Sequence, residues 1–318
     1  MNGVPVGGVD GGDEACANCG KLGSDAVKLK NCTACRLVKY CSVDCQRAHR
    51  KKHKKACKKR AAELKDEQLY SQGHERPEGD FCPICTLPIP LPTDEHAFFN
   101  VCCMKLICKG CNVAAQNRGM FDCPFCRTSI PKDDTDNLAL VRARVEKKDP
   151  VAIYHLGSKY FFGELGLQKD VHKAIELYKE AAELDSMDAL YNLGIAYCHG
   201  CGYGVQEDKA KAVEFWTKAA MRGCVDSRRS LGCWEGQKGN HNRAVRHLLI
   251  AAKVGSVEAL ESIKGMFLDG LATKEHYAEA LKGYQDAVEE TKSPQRDDAE
   301  RYFKREKTAV RTVISPSS

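Results

Sequence analysis

The sequence predicts a multidomain chain: two small zinc-binding modules followed by an all-α helical-repeat solenoid. Three observations predict it. Fifteen of the nineteen cysteines lie between Cys16 and Cys126, almost all in pairs two or three residues apart. From residue 150 onward a small-residue and Leu-Gly pattern recurs at intervals of 37, 38 and 32 residues. The two regions are separated by a turn-rich stretch from Pro131 to Asp136, the two cysteine blocks by a Gly- and Pro-containing linker around Gly73 to Gly79, and 318 residues are more than one compact core usually takes.

Composition narrows the class. Hydrophobic residues at 43% and charged residues at 29% are ordinary for a soluble protein. No run of about 18 apolar residues exists, and Met1–Lys21 has no apolar core of signal-peptide length, so no membrane partner is expected. The expected compartment is cytoplasmic or nuclear, or both, where thiols stay reduced and paired cysteines mean metal sooner than disulfides. No Ser-His-Asp set, phosphate-binding Gly loop or paired acid/base carboxylates stand out, which argues against a small-molecule enzyme and leaves no catalytic residue to name.

Residues 1–14 are rich in Gly and Asp and read as disordered. The first module is expected over 15–58. Its spacing is Cys16-x2-Cys19-x12-Cys32-x2-Cys35-x4-Tyr40-Cys41-x3-Cys45-x7-His53-x3-Cys57. Two thiolates two or three residues apart can turn their sulfurs onto one ion, and His53 and Cys57 stand one helical turn apart and face one ion together. His49 competes with His53 for that place. A partly helical linker over 59–80 follows, since Ala61, Ala62, Glu63 and Leu64 are good helix formers.

The second module is expected over 81–129, with Cys82-x2-Cys85-x16-Cys102-Cys103-x4-Cys108-x2-Cys111-x11-Cys123-x2-Cys126. Adjacent Cys102 and Cys103 can share an ion only on a constrained backbone, and His96 is the substitute ligand if one of them points away. Residues 130–149 form a linker into a helix, turn-rich from Pro131 to Asp136.

The repeats are expected over 150–290. Ala152-x3-Leu156-Gly157-x2-Tyr160 returns as Ala189-x3-Leu193-Gly194-x2-Tyr197, then as Ser227-x3-Leu231-Gly232 and Ala259-x3-Ile263. A trailing pattern follows each, as in Lys173-Ala174-x2-Leu177-Tyr178-x2-Ala181-Ala182. Small residues at this spacing let two helices approach closely, so each unit is a helix hairpin that needs a neighbour to bury its apolar face. Cys198-x2-Cys201 has no second pair nearby, and small residues at a helix end explain it. Residues 291–318 form a C-terminal helix and tail.

Three resemblances follow from these residues. The first module resembles the MYND zinc finger, matched at every ligand and at Tyr40. The resemblance implies a cross-braced pair of ions, one on Cys16, Cys19, Cys41 and Cys45 and the other on Cys32, Cys35, His53 and Cys57, in a module that docks peptides or proteins. Arg50 stands where the family commonly has a groove Trp, which puts recognition of a proline-rich peptide in question. The second module resembles a RING domain, and more closely the all-cysteine RING of the ubiquitin ligase in the CCR–NOT deadenylase complex. That likeness implies cross-bracing as well, with Cys82, Cys85, Cys108 and Cys111 on one ion and Cys102, Cys103, Cys123 and Cys126 on the other, four zinc ions in all. It departs from the pattern in having adjacent Cys102-Cys103 and Lys105 where a His is usual. The repeats resemble the Sel-one-like repeat, a relative of the tetratricopeptide repeat, and Gly202-Tyr203-Gly204-Val205-Gln206-Glu207-Asp208 is similar to its connecting loop.

If the RING likeness holds, Ile84, Pro124 and Arg127 are the contacts to a ubiquitin-conjugating enzyme and ubiquitin. Two functional classes then stand. One is a RING-type E3 ubiquitin ligase whose MYND finger and repeats recruit partners; the other is a non-catalytic zinc-dependent adaptor. Nucleic acid is a third partner class, resting only on nine Lys or Arg without an acidic residue between Gln46 and Arg60. The bland reading of that run, the solvated face of a short helix carrying zinc ligands, is preferred because no aromatic offers a stacking platform.

Overall fold

A computed structural model describes residues 15–314, with the side chains of 201 and 306–314 outside the description; the expectation of disorder for 1–14 falls outside the described residues. The chain divides into two compact units, 1–71 and 72–318.

In the first unit a two-stranded antiparallel ribbon pairs β1 (Lys30–Asn31) with β2 (Lys39–Tyr40), in the register Lys30↔Tyr40. Helix α1 (Val43–Ser71) then runs unbroken for 29 residues. A short ligand helix with a separate linker was expected, yet the helix that carries the first module's last ligands continues through 59–71. The good helix formers from Ala61 onward extend it, and Arg60 reaches Glu63 and Glu67 along one face, at 3.2 and 2.6 Å.

The second unit opens with a segment that lies along the repeats. The Arg228 guanidinium donates to the Gln72 carbonyl, and Arg76 donates to the carbonyls of both Val254 and Ile89. The second module follows: α2 (Thr93–His96), the antiparallel hairpin β3 (Ala97–Asn100) and β4 (Lys105–Cys108), and α3 (Lys109–Gln116). Its small core is Ile89, Ala97 and Ile107 among buried cysteines. So few apolar side chains cannot hold a segment of this length alone, and cross-linking by metal is what such modules use instead.

Helix α4 (Asp134–Val145) begins inside the stretch expected to be turn-rich, because the Asp133 side chain caps it by accepting from the Asp136 N–H at 2.9 Å. Val141 of α4 is fully buried with Ala152, Leu156 and Met104, and Phe99 and Val101 of the hairpin pack against them. The second module is therefore joined to the start of the repeats by a shared core, reinforced by the Phe99 ring stacked 4.8 Å from His155.

The repeats are helix hairpins: α5 (Pro150–Phe162) with α6 (Val171–Glu183), α7 (Met187–His199) with α8 (Lys209–Ala220), α9 (Val225–Gln237) with α10 (His241–Lys253), and α11 (Val257–Leu268) with α12 (Lys274–Glu290). Asp149, Asp170, Ser186, Asp208, Ser256 and Thr273 cap their helices with side-chain oxygens. Pro150 pre-sets the first turn of α5, and Gly163 ends that helix at φ 74°, a left-handed position. The Leu-Gly signature has a clear cause. A Cβ on Gly157 would stand 2.8 Å from the Tyr178 ring, one on Gly232 would stand 2.9 Å from Leu248, and one on Gly194 would enter the Trp216 indole. Each glycine thus lets the second helix of its hairpin lie close on the first. The described residues end in α13 (Pro294–Ile314), which turns back to pack on α3 of the second module.

Candidate metal centres

The structure brings the sixteen expected ligands together in four groups of four. They are Cys16, Cys19, Cys41 and Cys45; Cys32, Cys35, His53 and Cys57; Cys82, Cys85, Cys108 and Cys111; and Cys102, Cys103, Cys123 and Cys126. Within each group every ligand atom lies within 4.8 Å of every other. Four sulfurs about 2.3 Å from one zinc ion stand about 3.8 Å apart in a tetrahedron. Sulfur pairs here are 3.5 Å (Cys19–Cys41), 3.8 Å (Cys32–Cys57), 3.8 Å (Cys85–Cys108) and 3.9 Å (Cys103–Cys123), and the Cys35 sulfur is 3.1 Å from His53 Nε2. These spacings suit a shared ion and are far longer than the roughly 2.05 Å of a disulfide.

The local backbone explains how each Cys-x2-Cys pair aims both sulfurs one way. The fourth residue after the leading cysteine donates its N–H back to that cysteine's carbonyl: Gly20 to Cys16, Arg36 to Cys32, Thr86 to Cys82 and Arg127 to Cys123, at 2.8–2.9 Å. Those four residues all have positive φ, of 72°, 56°, 59° and 63°. A tight loop of this kind also turns amide N–H groups toward sulfur, which favours thiolate. N–H donation from Cys19 and Cys41 holds Cys16 down at about 6. Burial works against the Cys32 thiolate, but donation from Cys35 and Ala34 more than offsets it, again to about 6. In the repeats, burial first and then the Asp226 and Asp188 charges push Cys224 up to about 11, and burial also raises Cys198.

The remaining ligands come from helices and one turn. Cys45, His53 and Cys57 sit on α1, where His53 is buried. His49 stands outside the group; its Nδ1 is 3.1 Å from the Tyr40 hydroxyl and its ring stacks on His53. Cys108 caps α3 and accepts from the Cys111 N–H at 3.4 Å. Adjacent Cys102 and Cys103 both join the fourth group because they occupy the β3–β4 turn, whose next residue, Met104, has φ 53°. Their carbonyl environment is fixed too, as Arg144 Nη2 donates to the Cys102 carbonyl at 3.1 Å. His96 lies outside all four groups.

Residues 16–57 match the MYND finger. Residues 150–186, 188–224 and 226–256 match the Sel1 repeat. The fourth hairpin, α11 with α12, continues the array beyond the matched residues. Solved structures to which part of the chain is similar include c5321, a protective antigen of uropathogenic Escherichia coli with an SLR fold, at 28% identity and a TM-score of 0.41 over 49% of this chain. The chain spans about a third of that protein, the matched share being 33%. A Sel1 repeat protein from Oxalobacter formigenes is 24% identical at a TM-score of 0.45, covering 57% of this chain and 71% of its own. The immunity protein Pa5087 from Pseudomonas aeruginosa is 20% identical at 0.36, covering 66% and 71%. The chain is a zinc-binding modular protein whose MYND finger and Sel1 repeats are suited to protein–protein interaction. Among the described residues no helix is long and apolar enough to cross a membrane.

The three expected partner contacts lie at the second module's surface. Ile84, between Cys82 and Cys85, is 42% exposed; Pro124 is half-buried; Arg127 is exposed, with its guanidinium on the Met120 sulfur. Two more exposed aromatics were missed in the sequence, Phe121 at 72% and Phe125 at 43%. Their positions flanking Cys123 and Cys126 are the signal that could have found them.

Proposed function

We propose that the second module works as a RING-type E3 ubiquitin ligase domain, with four zinc ions held across the two modules. The single observation that carries the reading is the exposure of Ile84 on the loop of the first Cys pair. An apolar residue that large, on a loop pinned by metal, is a ready anchor for a partner. Catalysis would be by positioning: the module holds a charged conjugating enzyme so that its thioester meets a lysine, and performs no bond chemistry itself. The MYND finger and the repeats would recruit substrate, and zinc would supply rigidity only. Cytoplasmic or nuclear residence fits this role.

One observation favours a non-catalytic adaptor: the second module departs from the RING pattern at adjacent Cys102-Cys103 and at Lys105. Autoubiquitination with a broad panel of conjugating enzymes separates the two readings. The ligase reading expects chains from the unmutated protein and a loss of at least tenfold in Ile84→Ala, with zinc content unchanged. Absence of chains with every enzyme of the panel leaves the adaptor.

A further inference from the structure

The third ligand group, Cys82, Cys85, Cys108 and Cys111, has a neighbour from far along the chain. Arg296 on α13 places Nη2 3.5 Å from Cys85 Sγ and donates from the same nitrogen to the Leu87 carbonyl at 3.2 Å. Its Nη1 donates to the Pro88 carbonyl at 2.6 Å and to the Thr291 carbonyl of its own segment at 2.6 Å. One planar group thus grips a ligand sulfur and the two carbonyls just beyond it.

The approach is built. Gly110 on α3 leaves no room for a side chain, since a Cβ there would lie 2.9 Å from the Arg296 backbone nitrogen. Ala299, one turn further on, is buried. Phe303 meets Phe98 edge-on at 6.1 Å, and the Lys109 ammonium lies over both rings. Positions 296, 299 and 303 form one helical face, so the first turns of α13 are held to the module.

Four thiolates around a divalent cation carry a net charge of about −2 in a half-buried place. A guanidinium is always charged and donates in a planar fork, which fits it to a sulfur and a nearby carbonyl at once.

We propose that Arg296 is a positioning residue for this metal centre, a counter-charge and clamp that couples docking of the C-terminal helix to zinc retention in the second module. The inference rests on the zinc reading above. If that reading fails, the unmutated protein holds no zinc in the module, an outcome separate from any effect of Arg296.

The test uses the full chain loaded with zinc and challenged with excess chelator. Release is followed by native mass and by pulsed alkylation of cysteines mapped to peptides. Arg296→Gln keeps a planar donor but removes the charge. The expected result is a 10- to 100-fold loss of affinity at one centre, the range typical for outer partners of metal ligands. Cys82, Cys85, Cys108 and Cys111 should become alkylated before the other twelve ligands lose their metal. Arg296→Lys should recover part of the loss, and Phe303→Ala, which loosens α13 but spares the guanidinium, should have a smaller effect. Retention in Arg296→Gln equal to that of the unmutated protein overturns the proposal. So does equal loss in Phe303→Ala, which would make Arg296 only one more packing contact. Far-UV circular dichroism of each variant checks that the helices remain folded.

Discussion

Substituting Gly194 and Gly265 by alanine should move stability in opposite directions. Both lie inside the first helix of a repeat, α7 and α11. In each, replacing Gly by Ala in a helix interior gains about 1 kcal/mol from backbone propensity. At Gly265 nothing lies within 4 Å of the new Cβ, so that gain should stand. At Gly194 the methyl would enter the Trp216 indole, which is only 4% exposed and belongs to the main core cluster of the repeats. Overpacking of this kind costs about 1–3 kcal/mol, and a hemmed-in indole puts it at the upper end, for a net loss of about 2 kcal/mol. With a urea dependence of about 2–3 kcal/mol per molar, Gly194→Ala should lower the midpoint by roughly 0.7–1 M, and Gly265→Ala should raise it by roughly 0.3–0.5 M. Far-UV circular dichroism in urea, with zinc in excess throughout, measures both. A midpoint for Gly194→Ala equal to or above that of the unmutated protein would refute the close-approach explanation of the Leu-Gly signature.

Two further predictions follow from single side chains. His247 is fully buried, and burial, aided by Arg228, Arg243 and Arg246, pushes its pKa down to about 3. A depressed His pKa contributes stability that is complete above the unfolded value of about 6.5 and is lost as pH falls toward 3, by at most about 1.4 kcal/mol per pH unit. The urea midpoint should therefore fall between about pH 7 and pH 5.5 by more in the unmutated protein than in His247→Gln; parallel shifts would contradict the assignment. Arg36 closes a cysteine loop at φ 56°, which costs a residue with a Cβ about 1 kcal/mol. Arg36→Gly should relieve it and slow chelator-driven loss of metal from the first unit, and faster loss would count against backbone strain there.

Much of the chain was legible because metal and close helix packing both leave strict spacing rules. A ligand must recur at the interval its loop dictates, and a glycine must sit where two helices nearly touch. Cys32-x2-Cys35 and Leu193-Gly194 are readable for that reason. The length of α1 was less legible, because nothing in its sequence marks an end at Cys57 and a propensity argument cannot say where a helix stops without a cap. The joining of the second module to Val141 on one side and to Arg296 on the other could not be read at all. Those contacts link residues tens to hundreds of positions apart, and no periodicity records which exposed-looking Arg will find a carbonyl. The same holds for Met104, whose left-handed turn makes adjacent Cys102 and Cys103 workable.

The Arg296 contact spans 211 residues of sequence, back to Cys85. During synthesis at about 5–20 residues per second, the second module would leave the ribosome roughly ten seconds or more before the helix that clamps it exists. Until then its zinc centre lacks its counter-charge and the face around Gly110 is bare. A chain halted anywhere before α13 would stay in that condition, its second module folded around a centre that the Arg296 guanidinium never reaches.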